Sequence, residues 1–170
     1  MIQAQFSSGK VYSTSNDAFS LYQKSRFGER KRDKIEYSFV EALFLLEQEK
    51  MEIFSGKSKL NEYSFIKKAK RNDKKIELKI PVFRSMREKG YILKTALKFG
   101  TDFRVYKKGV KPGQDHSPWL LHCVKENETQ NWQEFAAKNR VAHSTKKKLL
   151  IAVVDDEDDV TFFETSWLKP

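Results

Sequence analysis

The chain has a single cysteine, Cys123, so no disulfide can form within it and packing alone must hold the fold. That usage fits a reducing compartment, and the expected location is the cytoplasm. Cys123 falls in the apolar run WLLHCV over 119–124, where a buried structural thiol is the ordinary outcome and a nucleophile is not. No stretch approaches the ~18 or more consecutive apolar residues that read as a membrane helix. The opening residues MIQAQFSSGK do not place a basic region ahead of an apolar one, so no secretion leader is expected. Internal repeats and low-complexity tracts are also missing.

What is present is aromatic and basic. The 170 residues are 39% hydrophobic and include 13 Phe, enough for one ordinary domain or two small ones. Formal charge is +10, from 33 Lys and Arg against 23 Asp and Glu, a balance that attracts polyanions. A solvated lysine-rich surface would give the same number, so charge alone decides nothing. Its distribution says more. Residues 80–170 carry 16 Lys and Arg and 12 Asp and Glu, and five of those acids stand together as Asp155, Asp156, Glu157, Asp158 and Asp159. A basic surface suited to nucleic acid and one compact acidic run suited to a basic protein surface are separate electrostatic features.

Patterning predicts an α+β fold in two parts, a small N-terminal α/β unit over 1–78 and a C-terminal mixed β-sheet domain flanked by helices over 79–170. Ile2, Ala4 and Phe6 alternate as a strand does, with a turn at 7–9. Ser15 can cap a helix bearing Ala18, Leu21 and Tyr22. FGERKRD over 27–33 reads as a polar loop. Ser38 and Glu41 form a capping-box pair before a helix with Phe39, Ala42, Leu43 and Leu46 on one face. KKAKRNDKK over 67–75 reads as a solvated helix face or loop rather than an RNA-binding patch. Ile76, Ile80, Phe83 and Met86 follow at helical spacing, and Pro81 should hold the start of that helix to about 78–80. From Tyr91 the runs YILKTAL, DFRVY, WLLHCV, LLIAVV and VTFF are strand-like. One helix interrupts them over 132–144, with Trp132, Phe135, Ala136, Val141 and Ala142 expected inward. LLIAVV, apolar throughout, should be a central strand buried on both faces.

The chemistry-bearing candidates lie in the C-terminal part. Tyr106 closes the strand DFRVY ahead of a turn, a place from which functional side chains project, though rim tyrosines are common there too. A tyrosine ionises near ~10 in water, so service as a base demands adjacent cations, for which Lys107, Lys108 and Lys147 are candidates. His116 lies in the Gly- and Pro-containing loop GVKPGQDHSP, and an exposed histidine suits proton transfer. His122, inside an apolar strand, and His143, at a helix end, have structural explanations. In STKKKLL any of Lys146, Lys147 and Lys148 could point into a site at the edge of the next strand.

YILKTALKFGTDFRVYKKG, then DHSPWLLHCV, then RVAHSTKKKLLIAVVDDEDDVTFFETSWLKP together resemble the catalytic domain of archaeal tRNA-splicing endonucleases over about residues 80–170. YSFVEALFLLEQEK resembles that family's N-terminal domain more loosely. Ala96 departs from the pattern, which has glycine there. The resemblance implies a metal-independent, cofactor-free endoribonuclease that cuts precursor tRNA at bulge–helix–bulge sites, leaving 2′,3′-cyclic phosphate and 5′-OH ends. It places the general base on Tyr106, the general acid on His116 and the transition-state cation on Lys147. It also places an RNA-clamping guanidinium on Arg140, which on residue type alone would be a helix-end ion pair. A chain of this length corresponds to one unit of a four-unit assembly. A homotetramer held by the acidic run 155–159 is expected, with a heterotetramer as the alternative. The rival readings are a non-catalytic RNA-binding subunit and, from Asp73 with the Glu77-Leu78-Lys79 triplet, a metal-dependent nuclease.

Overall fold

A computed structural model describes residues 1–170, which divide into two compact units, Met1–Ile80 and Pro81–Pro170. The fold is α+β, with one sheet in each unit.

The first unit is built on a six-stranded sheet of order β3-β4-β2-β1-β5-β6. Its strands are β1 (Ile2–Ser7), β2 (Lys10–Ser13), β3 (Glu29–Lys31), β4 (Lys34–Tyr37), β5 (Met51–Ser55) and β6 (Ser58–Leu60). Its helices are α1 (Asn16–Ser25), α2 (Phe39–Glu47) and α3 (Glu62–Ala69). β1 and β2 form a hairpin whose turn places Ser8 at φ 51° and Gly9 at φ 71°, the left-handed pair a two-residue hairpin requires. α1 starts where Ser15 accepts from the backbone N–H of Ala18, and α2 has the full capping box between Ser38 and Glu41.

Two local expectations are corrected here. Residues 27–33 are not simply loop: Glu29–Lys31 pairs with β4 across a tight turn at 32–33. β3 is exposed along its length, so no hydrophobic alternation announced it. α2 is also buried more widely than one face, from Val40 through Leu45, while Phe39 and Leu46 are only part-buried. Glu41 tolerates burial because its carboxylate accepts from the backbone N–H groups of Gly28 (2.9 Å) and Ser38 (3.0 Å) and from the Ser38 hydroxyl (2.9 Å).

Helix α4 (Ile76–Glu88) contains the unit boundary. It begins two residues before the expected 78–80, so Pro81 lies inside it and forfeits one backbone hydrogen bond. Burial of Ile76, Ile80, Val82, Phe83 and Met86 carries the helix through that loss.

The second unit has a five-stranded sheet of order β11-β10-β9-β8-β7. Its strands are β7 (Ile92–Thr95), β8 (Phe103–Tyr106), β9 (Trp119–Lys125), β10 (Lys148–Val154) and β11 (Val160–Thr165). β9 and β10 are parallel, joined by a crossover through α5 (Trp132–Ser144); the other pairings are antiparallel. β10 is flanked by strands on both sides as expected, although Ile151 and Val153 are only part-buried. α5 lies on the sheet through a core of Ala96, Leu120, Ala142 and Leu149, with Phe99, Phe135, Val141 and Ile151 around it. Ala96 has φ −131°, which needs no glycine, and its methyl belongs to that core.

Trp132 corrects the inward face expected of α5. It is 80% exposed and meets Phe135 edge-on at 5.5 Å. Trp132 is the first helical residue after the Asn131 cap, and the inward stripe starts one turn later as Phe135, Asn139 and Ala142. Asn139 can lie in that stripe because its amide donates to the Phe135 carbonyl (3.1 Å) and accepts from the Thr165 hydroxyl (2.9 Å). Cys123 is buried and forms no disulfide. No helix is long and apolar enough to cross a membrane.

Candidate active site

Sheet register brings three distant segments to one end of the second unit. Val105 on β8 pairs with Trp119 on β9, and Trp119 pairs with Lys148 on β10. One step beyond this row stand Tyr106, Pro118 and Lys147. Because β8 runs antiparallel to β9 while β10 runs parallel to it, the last residue of β8 and the residues preceding β9 and β10 share an end of the sheet. Adjacent strands are ~4.8 Å apart, so side chains separated by up to 41 positions in sequence become neighbours.

An open cleft of about 540 Å³ occupies that end, and Tyr106, His116 and Lys147 all line it. Tyr106 is only 6% exposed, fixed at the strand end by pairing with Ile92. His116 is exposed, in the 107–118 loop between β8 and β9. Its backbone N–H donates to its neighbour Asp115 Oδ1 at 2.7 Å. Lys147 is part-buried, and its Nζ donates to the Ser117 carbonyl at 2.5 Å.

The structure separates the three lysines that the sequence left equivalent. α5 ends in a Schellman turn, with Lys146 N–H on the His143 carbonyl (3.0 Å) and Lys147 N–H on the Ala142 carbonyl (2.8 Å). Lys146 sits in the left-handed region at φ 57°. The turn aims Lys147 into the cleft, whereas Lys146 and Lys148 line a neighbouring groove. Burial holds the Lys147 ammonium below the usual lysine range, and the Arg104 guanidinium adds to that effect.

The cations around Tyr106 differ in part from those expected. Lys108 lies over the Tyr91 ring at 5.2 Å, and Lys107 lines the neighbouring groove. Lys98 and Arg104 line the cleft instead, together with Phe99. Arg104 was legible in principle: it precedes Tyr106 by two on one strand and so shares its face. Lys98 was not, because it follows from the short 3₁₀ turn at Leu97–Phe99.

The other candidates fall elsewhere. His122 is buried, with Nδ1 3.3 Å from Asp102 Oδ2, and the same carboxylate accepts from Cys123 N–H at 2.8 Å. His143 meets the Trp167 ring edge-on at 4.6 Å. Arg140 is exposed on α5, outside the cleft, and engages no carboxylate, so the helix-end ion pair is not formed. Asp155 to Asp159 form the β10–β11 turn, in which Asp155 Oδ1 accepts from the N–H groups of Glu157 and Asp159, both at 2.9 Å. None of the five pairs with a cation. Asp73 and Glu77 are taken up by ion pairs, with Lys79 at 3.0 Å and Lys70 at 2.6 Å, and Glu77 and Lys79 lie on a helix rather than a strand.

A phenol, an exposed imidazole and a set of cations around one open cleft are the parts for proton transfer on a polyanion. Residues 76–162 match the tRNA intron endonuclease catalytic C-terminal domain, and residues 2–66 match the tRNA intron endonuclease N-terminal domain. The chain belongs to the tRNA intron endonuclease family. It is 43% identical to a tRNA-splicing endonuclease of Nanoarchaeum equitans over 144 residues, covering 81% of this chain and 92% of that protein. It is 36% identical to the tRNA-splicing endonuclease of Thermococcus kodakarensis over 170 residues, 99% of each. Against that of Methanothermobacter thermautotrophicus it is 35% identical over 150 residues, 88% and 87% of the two chains.

Proposed function

We propose that this chain is an endoribonuclease that excises introns from precursor tRNA without a metal, using Tyr106, His116 and Lys147. The observation that carries the reading is that these residues, from three separated segments, line one cleft. Tyr106, as the phenolate, takes the proton of the ribose 2′-OH at the cut site. The 2′-oxygen attacks phosphorus, and the bond to the 5′-oxygen breaks as that oxygen takes a proton from the His116 imidazolium. The products are a 2′,3′-cyclic phosphate and a 5′-OH. Lys147, with Arg104 and Lys98 in the same cleft, offsets the negative charge that gathers on the phosphoryl oxygens. Asp115 is the only carboxylate of the cleft, few oxygen ligands for a divalent ion, which supports a metal-free reaction.

The substrate is read as a bulge–helix–bulge, whose unpaired nucleotides an open cleft can receive. Arg140, exposed and uncommitted, is suited to clamp a bulge base at the cut site of a neighbouring subunit. The acidic turn, likewise without a cation of its own, is suited to seat on a basic surface of another copy and so to hold a homotetramer. The test is cleavage of an end-labelled bulge–helix–bulge RNA in excess EDTA. Expected are 3′ ends that resist phosphatase until acid opens the cyclic phosphate. Cuts leaving 3′-OH and 5′-phosphate ends, or cuts that need added Mg²⁺ while the RNA stays folded, would overturn the reading.

A further inference from the structure

A second groove, about 710 Å³, adjoins the candidate cleft, and Lys147 lines both. Lys107, Lys146 and Lys148 also line it, with His143 on one side. Its one carboxylate, Glu164, is already neutralised: Lys148 Nζ lies 2.8 Å from one oxygen and the Trp119 indole N–H donates to the other at 2.8 Å. Those bonds hold the Glu164 carboxyl below its ordinary range, so it stays an anion fixed to its own cation. Lys107 and Lys146 are exposed and pair with no carboxylate. The groove is therefore a net cationic path that begins at Lys147.

Lys146, like Arg26 and Glu49, has a left-handed backbone. It occupies the left-handed position of the Schellman turn, at φ 57°, where glycine is the ordinary choice and a side chain is strained. From this position Lys146 faces the groove while its neighbour Lys147 lines the cleft.

We propose that the groove is a subsite for the RNA backbone, in which Lys146 and Lys107 hold a phosphate flanking the one that is cut. The proposal rests on the functional reading above. A strand leaving the cleft past Lys147 meets these lysines next, and a fixed flanking phosphate would set the register of the scissile one.

The experiment uses the full chain and a bulge–helix–bulge RNA with 2′-deoxyribose at the cut sites, so that binding is read without cleavage. Affinity is measured against salt concentration for wild type, Lys146→Gly and Lys146→Arg. Lys146→Gly should bind several-fold more weakly, with a log K against log salt slope shallower by about one. Its melting temperature should equal or exceed that of wild type, since glycine relieves the left-handed strain. Lys146→Arg should keep the wild-type slope. A Lys146→Gly slope equal to wild type would overturn the subsite. An unchanged slope with an altered particle mass would also overturn it, by assigning the groove to a protein segment. Failure of the wild type itself to prefer this RNA over a plain duplex would instead sink the functional reading, and the subsite with it.

Discussion

The Lys147 ammonium lies 2.5 Å from the carbonyl oxygen of Ser117, the residue that follows His116. One hydrogen bond thus ties the lysine ahead of β10 to the loop that carries the histidine, two groups 31 positions apart in sequence. The contact gives the part-buried ammonium a hydrogen-bond acceptor, and it anchors the end of the histidine loop at the mouth of β9.

Tyr106→Phe keeps the buried ring and removes the oxygen. If Tyr106 takes the 2′-OH proton, single-turnover cleavage should fall by roughly 10²-fold or more. The circular dichroism spectrum and RNA affinity should stay unchanged. Wild-type rates would reduce Tyr106 to a packing role.

Lys147 loses its proton at lower pH in the folded chain than in the unfolded one, chiefly because burial disfavours the ammonium. Between the two values the unfolded state binds more protons, so wild-type stability gains as pH rises towards the usual lysine range. In Lys147→Met that gain is absent. The stability difference between the two should therefore shift in favour of wild type as pH rises towards 10.5, the ordinary lysine value. Melting temperatures of both proteins across that range are the check, and a constant or oppositely sloping difference would contradict the desolvation account.

If the acidic turn holds the proposed homotetramer, replacing Asp155, Asp156, Glu157, Asp158 and Asp159 with Ser or Asn should split it towards dimers and lower activity while the cleft residues remain. High salt should weaken the wild-type assembly in the same direction. Light scattering decides: an unchanged tetramer in the variant, or a monomeric wild type, removes the acidic turn from assembly.

Two substitutions in the first unit should have contrasting effects on stability. Glu41→Ala deletes the buried acceptor of two backbone N–H groups and the Ser38 hydroxyl, and should cost about 2–3 kcal/mol. The buried Tyr37 hydroxyl has no partner, so Tyr37→Phe should be neutral or stabilising. Urea unfolding of both variants checks the pair, and a Tyr37→Phe loss comparable to that of Glu41→Ala would mean the hydroxyl is satisfied after all.

Where burial and capping speak through local pattern, the sequence was readable. Ser15, Ser38 with Glu41, the β1 alternation and the five strand segments after Tyr91 all came from spacing. β3 did not, because an exposed three-residue edge strand leaves no hydrophobic trace. The start of α4 was misplaced because Pro81 was given its local cost without the burial of Ile76, which outweighs it. Trp132 was turned inward because periodicity cannot say where along a helix the sheet beneath it ends. In the cleft, residue type left Tyr106 an ordinary rim tyrosine and Lys146, Lys147 and Lys148 equivalent; the roles on Tyr106, His116 and Lys147 came from the family resemblance, and the different directions of the three lysines depend on one left-handed residue that no periodicity encodes. The supporting cations Lys98 and Arg104 emerge from strand register and a 3₁₀ turn, which are tertiary facts.

The most direct test of the central claim is the single-turnover cleavage rate of a bulge–helix–bulge RNA in EDTA, for wild type and His116→Ala. With His116 as the acid, wild type should cut at full rate in the chelator. His116→Ala should be slower by roughly 10²–10⁴-fold, with RNA affinity nearly unchanged. His122→Ala, which removes only the buried partner of Asp102, should retain much more activity than His116→Ala. A His116→Ala enzyme at wild-type rate, with His122→Ala inactive though folded, would contradict the account.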